Sequence, residues 1–116
     1  MGVQTEVQGR ALVAAVKGEL DHLQAERLRV QIDSAYDKST CRHIVLDMAN
    51  VSFMDSSGIG MIIGRYKNAE KRGGQLALAN MSDSLSRLIE ISGLAKIILR
   101  ATTVTDALAI LGGHSE

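Results

Sequence analysis

The 116-residue chain contains one cysteine, no proline, no tryptophan and few aromatic residues, and each scarcity excludes a class of protein. The single thiol, Cys41, cannot form an internal disulfide and has no second thiol nearby for a CxxC redox or zinc motif. An aromatic content of 3% removes the stacking platforms that single-stranded nucleic-acid binders use. Without proline, no turn of this chain relies on a locked φ angle.

An excess of charge of one sign is also lacking, because thirteen basic and thirteen acidic side chains give a formal net charge of zero. The net charge of such a chain provides no electrostatic attraction to nucleic acid or to an anionic membrane, so neither is expected as a partner. No apolar run reaches the roughly 18 residues of a membrane span, and the N-terminus lacks the layout of a signal peptide. We expect a cytoplasmic protein whose partners recognise shape and local chemistry.

Apolar strand-length segments alternate with segments of helical periodicity along the chain. The pattern predicts strands at residues 3–7, 11–16, 43–48, 75–80 and 96–100, and helices at 22–37, 82–92 and 103–111. A further helix is expected to follow the serines at 56 and 57 and to end at Gly73 and Gly74. The helix at 103–111 is expected to end at Gly112 and Gly113. The order predicts one α/β domain over residues 1–116: a small mixed sheet, made of an N-terminal hairpin and parallel crossovers, flanked by about four helices.

Three polar segments follow strands of the predicted sheet, at residues 18–22, 54–58 and 79–84. Loops after the carboxyl ends of parallel strands meet at one edge, where ligands and partners tend to bind. The middle segment, MDSSG, is the most polar, with Asp55, Ser56 and Ser57 in succession. The functional site is therefore expected at this edge.

Nucleotide binding is the first function to consider there, because GIGMIIG resembles a glycine fingerprint between a strand and a helix. The spacing does not fit GxGxxG: Gly58 and Gly60 are followed by Ile63 where the third glycine belongs, and Gly64 comes one residue late. No cofactor is therefore expected. Gly60 and Gly64 instead share one helix face, which predicts close approach to a neighbouring helix or to a partner.

Serine hydrolysis is the second function to consider, and the serines stand outside a GxSxG motif. The candidate bases are His22, His43 and His114. His22 is expected at the same sheet edge as the serines, whereas His43 begins a strand at the opposite edge and His114 lies in the last three residues. An enzyme is not expected.

A third interpretation makes a serine the substrate of a kinase. In the first turn of a helix, a serine hydroxyl is exposed at the positive end of the helix dipole, so the fold tolerates a phosphate there. The phosphate adds about −1.5 to −2 charges, which changes the field that a docked partner meets. On spacing alone, ordinary helix capping is the simpler explanation of Asp55, the serines and Gly58.

Four segments together resemble the anti-sigma factor antagonists of the STAS domain family, in particular its sporulation members. They are GELDH at 18–22, RHIVLDM at 42–48, SFMDSSGIGMIIGRYK at 52–67 and SGLAKII at 92–98. The resemblance spans nearly the whole chain and implies a small sheet with helices on one side. It also implies partner switching, in which the unphosphorylated antagonist binds an anti-sigma factor that is a serine kinase, and a sigma factor is released. Phosphorylation of the antagonist by this kinase then ends binding, and a serine phosphatase removes the phosphate.

The resemblance implies Ser56 as the phosphoacceptor, since it is the first hydroxyl residue after the aspartate of the motif. It also implies a partner-facing surface, carried over at Glu19, Asp21, His22, Asp55, Ser57, Gly58, Gly60, Gly64 and Arg65. Beyond Ser82 and Arg87 the third helix departs from the sporulation members. Two alternatives stay open: a STAS module of a general-stress pathway, signalling scaffold or lipid-transport system, and a small nucleotide-binding or hydrolytic enzyme.

Overall fold

The computed structural model describes residues 2–113, which form five strands and four α-helices. The strands are β1 (Gly2–Gln8), β2 (Ala11–Leu20), β3 (His43–Met54), β4 (Leu76–Ala79) and β5 (Leu99–Ala101). The helices are α1 (His22–Lys38), α2 (Ser56–Lys71), α3 (Asp83–Ser92) and α4 (Val104–Gly113), with a 3₁₀ turn at Leu94–Lys96. His114 lies outside the described residues.

The strands form one mixed sheet in the order β1-β2-β3-β4-β5. β1 pairs antiparallel with β2 through a hairpin, and the remaining neighbours are parallel. This confirms the predicted α/β class, with a hairpin followed by parallel crossovers. The carboxyl ends of β2, β3 and β4 therefore lie at one edge of the sheet, which we call the switch edge.

The two faces of the sheet are covered unequally. The larger core lies under α1, α2 and α3 and contains Leu28, Ile32, Ile62 and Ile89 among others. A smaller core on the opposite face is formed by α4 against alanine and valine side chains of the strands. The expectation of helices on one side is therefore wrong for α4, because that face of the sheet is also apolar and requires a cover.

Several element boundaries differ from the sequence prediction. The predicted strand at 96–100 begins at Leu99, because the 3₁₀ turn after Gly93 places Leu94 and Ile98 in the core. β2 and β3 extend to the switch edge, so only Asp21 separates β2 from α1. The last helix includes Gly112 and Gly113 rather than ending before them.

The ends of β2 and β3, residues 17–20 and 50–54, form a ribbon beyond the rest of the sheet, because β1 pairs with β2 only as far as Lys17. β4 pairs with residues 44–47 of β3, whereas β3 pairs with β2 as far as Met54. The register between β2 and β3 shifts at the start of the ribbon, between Ala15 and Lys17, and again within it, between Gly18 and Glu19. Gly18 has a φ of +99°, a backbone conformation that favours glycine. The ribbon carries the two strand ends from which α1 and α2 begin.

Candidate functional site

The junction between β3 and α2 is a one-residue turn made by Asp55. β3 ends at the buried Met54, and the extended backbone of Asp55 (φ −112°) forms the N-cap of α2. Its Oδ1 accepts a hydrogen bond from the N–H of Ser57 at 2.8 Å, and its carbonyl accepts from the N–H groups of Gly58 and Ile59. Asp55 is therefore a structural cap whose removal would release the first turn of α2.

The two serines of this junction are placed differently. Ser56 is the first residue of α2 and is exposed, whereas Ser57 is half-buried and donates its backbone N–H to Asp55. A group transferred to Ser56 therefore projects into solvent near the helix N-terminus, where the dipole favours negative charge.

Gly58 is buried against the strand ends rather than exposed to a partner. A Cβ at this position would overlap Met54 Cγ and approach Leu20 Cβ to 3.1 Å. The expectation that Gly58 faces a partner is therefore corrected: the absent side chain lets the first turn of α2 pack directly on the strands, which fixes where Ser56 is presented.

The first loop of the switch edge carries Glu19, Asp21 and His22. Glu19 is an exposed residue of β2, and Asp21 is the N-cap of α1, where its Oδ1 accepts from the N–H of Gln24 at 3.0 Å. The Asp55 N–H donates to the Leu20 carbonyl at 3.4 Å, so the two helix starts are joined through the backbone. The structure thus brings these three residues to the same edge as Ser56.

The switch edge carries three carboxylates, Glu19, Asp21 and Asp55, that form no ion pair among the described residues. Five ion pairs occur among residues 2–113, and none includes Glu19, Asp21 or Asp55. Carboxylates without cationic partners give the edge a negative local field although the whole chain is neutral. A protein that docks there is best matched by basic side chains.

Arg65 is buried between α1 and α2, so its expected place on a partner-facing surface is wrong. Its side chain is 6% exposed, and Nε lies 2.9 Å from Oδ1 of Asp33 on α1. The same carboxylate oxygen accepts from Asn68 Nδ2, while Arg65 Nη1 is buried with no hydrogen-bond partner among the described residues. Burial lowers the pKa of Arg65, and Asp33 opposes that shift. Arg65 therefore connects two helices.

Gly60 and Gly64 lie on α2, with Gly60 exposed and Gly64 half-buried. A Cβ at either position would meet no atom within 4 Å. The prediction that these glycines allow close packing against a neighbouring helix is therefore wrong within the described chain. The other part of the expectation, that a partner approaches α2 closely at these glycines, stays a prediction.

The third segment of the edge turns on Asn80, which sequence reasoning did not single out. Its φ is +60°, and its Nδ2 donates to Asp47 Oδ1 at 2.9 Å. Asn is among the few residues that adopt this left-handed conformation readily, which is the local signal that could have identified it. Ser82 caps α3 as predicted, since its Oγ accepts from the Leu85 N–H.

Phe53 is a second residue at this edge to which the sequence argument assigned no role. It is the only phenylalanine of the chain, it precedes Ser56 by three residues, and it is 50% exposed. The signal available in the sequence was an aromatic residue directly before a polar cluster.

Of the candidate bases for hydrolysis, His22 lies at the switch edge with the two serines, whereas His43 lies at the opposite edge of the sheet. His43 is buried at the amino end of β3, where Nδ1 accepts from the N–H of Gln75 at 3.0 Å. Residues 2–113 contain no cluster of side chains suited to hold a metal ion. In the same range, no helix combines the length and apolar character needed to cross a membrane.

Comparison with models of protein families matches residues 2–107 to the STAS domain. The chain belongs to the STAS domain family. Among curated relatives, the anti-sigma F factor antagonist of Paenibacillus polymyxa is 41% identical over 100 residues, covering 84% of this chain and 86% of that protein. The anti-sigma-B factor antagonist of Bacillus subtilis (strain 168) is 39% identical over 83 residues, covering 72% and 74%.

Solved structures of this STAS family support the same fold. The anti-sigma factor antagonist SpoIIAA in its unphosphorylated form matches with a TM-score of 0.79 at 32% identity, covering 95% of this chain and 96% of that one. The phosphorylated form of the Bacillus cell fate determinant SpoIIAA matches with a TM-score of 0.71 at the same identity, covering 93% and 97%. Both forms of that protein therefore share the architecture of this STAS chain.

Proposed function

We propose that the protein is an anti-sigma factor antagonist whose unphosphorylated form binds an anti-sigma factor and thereby releases a sigma factor. The observation that carries the proposal is the exposed Ser56 at the first position of α2, on an acidic edge whose helix starts are fixed by Asp21 and Asp55. The names and sequence identities of the curated relatives support the same function. The protein acts by binding and carries no catalytic residue in this scheme.

The anti-sigma factor is proposed to be a serine kinase that phosphorylates Ser56, and a serine phosphatase is proposed to reverse this step. Transfer moves the γ-phosphoryl group of ATP to the Ser56 oxygen, with the hydroxyl proton lost and ADP released. Docking is proposed to use Glu19, His22 and Gly60, with Gly64 at the margin. Ser57, Asp55 and Asp21 hold the local backbone.

Phosphorylation is proposed to end binding at the interface itself. A phosphate without partners in a docked surface should cost about 2–5 kcal/mol, as removal of one partner of a buried charge pair does, or roughly 30-fold to several thousand-fold in affinity. Helix α2 need not refold, because Ser56 is exposed before modification. The match of both solved forms of SpoIIAA to this chain supports that view.

The test combines phosphorylation mapping with binding of variants. The protein is incubated with ATP and with sigma-F-type and sigma-B-type anti-sigma kinases in turn, and the modified residue is identified by mass spectrometry. We expect phosphate on Ser56 in the wild type and in Ser57→Ala, and none in Ser56→Ala. Ser56→Ala should bind the kinase and release sigma factor, whereas Ser56→Asp should bind at least about 30-fold more weakly. Label on Ser57, or equal affinities of the two Ser56 variants, would contradict the proposal.

A further inference from the structure

Phe53, the only phenylalanine of the chain, is one of seven large apolar residues that are exposed among the described residues. Half of the residue is exposed, as is Ser52 before it, while Val51 and Met54 are buried. An aromatic side chain can bury roughly 150–250 Å². Exposure of Phe53 therefore means that much of this apolar area does not stabilise the fold. Aromatic residues, phenylalanine included, are enriched at protein interfaces relative to the rest of the surface.

A bulge in β3 is what turns Phe53 outward. Gly18 pairs with Val51, and the next pair is Glu19 with Phe53, so Ser52 is an extra residue without a partner in β2. One extra residue exchanges the two faces of a strand. The bulge therefore keeps both Val51 and Met54 in the core and directs Phe53 to the opposite face, beside Glu19.

No element of the described chain covers this part of the ribbon. The core under α4 uses Val45 of β3 but no residue after it, and β4 pairs with β3 only as far as residue 47. Side chains along the outer face of the ribbon are consequently exposed: Lys17, Glu19, Asn50 and Phe53. The uncovered face ends at the switch edge, where Asp55 N–H contacts the Leu20 carbonyl.

We infer that Phe53 is the apolar anchor of the surface that docks the anti-sigma kinase. The inference rests on the proposed function and extends its surface around the end of the ribbon. The partner that fits is a protein with an apolar pocket rimmed by lysine or arginine, because Glu19 lies beside Phe53, and Asp21 and Asp55 at the same edge form no ion pair among residues 2–113. Lys17, further along the exposed face, is also outside these ion pairs and offers a site for one acidic group of the partner.

Binding of Phe53→Ala to the anti-sigma kinase without ATP tests the inference, since no phosphorylation occurs. We expect affinity to fall at least about 30-fold, the range of an interface hot spot, and Phe53→Leu to recover part of it. Val7→Ala is the matched control, because Val7 is 56% exposed and pairs with Leu12 near the amino end of β2, away from the switch edge. Circular dichroism confirms that each variant is folded.

A single fluorine label gives a second readout that does not depend on a variant. Replacing phenylalanine by 4-fluorophenylalanine during expression yields one ¹⁹F resonance, because the chain has one phenylalanine. We expect this resonance to shift on addition of the kinase without ATP. If Phe53→Ala binds with unchanged affinity and the resonance does not shift, the inference is overturned. In that case, binding by the wild type still upholds the proposed function. Absence of wild-type binding overturns both, and a resonance that shifts with protein concentration alone assigns Phe53 to contacts between copies.

Discussion

The two ends of α2 differ in how far the chain satisfies its own side chains. At the carboxyl end, Arg72 lies over the Tyr36 ring at 3.9 Å and its Nη1 donates to the carbonyls of Tyr36, Ser39 and Cys41. Tyr36 in turn donates its hydroxyl to the Arg42 carbonyl at 2.8 Å, and burial raises its pKa. This end ties α1, α2 and β3 together.

At the amino end of the same helix, side chains are exposed rather than held by contacts within the chain. Ser56 and Phe53 are exposed, and the nearby carboxylates of Glu19 and Asp55 form no ion pair among the described residues. Only the backbone is satisfied, through the two caps. The difference indicates that one end of α2 stabilises the domain and the other is available for binding, and alanine substitutions at three glycines can separate the two roles.

Gly74→Ala should have the largest effect, on the stabilising end. A Cβ at Gly74 would overlap the carbonyl of Arg42 and lie 3.1 Å from the backbone nitrogen of His43, so backbone rather than a flexible side chain must move. We expect a loss of about 3 kcal/mol in the free energy of unfolding, near the upper end for overpacked sites. Urea denaturation measures it. The folded fraction should bind the anti-sigma kinase with unchanged affinity, and a weakened affinity would show that the two ends are coupled.

Gly58→Ala should have the next largest effect, on the binding end. Its Cβ would overlap Met54, whose side chain can partly adjust, so we expect a loss of about 1–2 kcal/mol in the free energy of unfolding. Because the first turn of α2 must shift, phosphorylation of Ser56 should slow and kinase affinity should fall. Wild-type rates of Ser56 phosphorylation in this variant would indicate that the position of α2 is not critical.

The sequence predicted those parts of the molecule that depend on local signals. Asp21 and Ser82 were identified as caps from their positions before helical periodicity, and the alternation of strands with helices predicted the parallel sheet. Ser56 was placed at a helix start for the same reason. These features depend on residues within one turn or one strand of each other.

The features that the sequence did not predict depend on contacts between distant segments. The bulge that exposes Phe53 arises from pairing of β2 with β3. Within the local sequence, the main sign of this irregularity is Gly18, which has a positive φ. The run KIILR has the composition of a strand, but packing of Ile98 requires a 3₁₀ turn first. Arg65 follows Met61 by four residues and so shares its buried stripe, but its partner Asp33 lies on another helix.

Gly60→Ala should have the smallest effect on the fold, and one of opposite sign. A Cβ there meets no atom within 4 Å, so alanine should stabilise α2 by roughly 0.5–1 kcal/mol, because mid-helix glycine is unfavourable by that amount. Thermal unfolding should show a melting temperature raised by a few degrees. If the partner packs on this face, kinase affinity should fall about tenfold while stability rises. Higher stability with unchanged affinity would instead place Gly60 outside the docking surface and leave Phe53 and Ser56 as its centre.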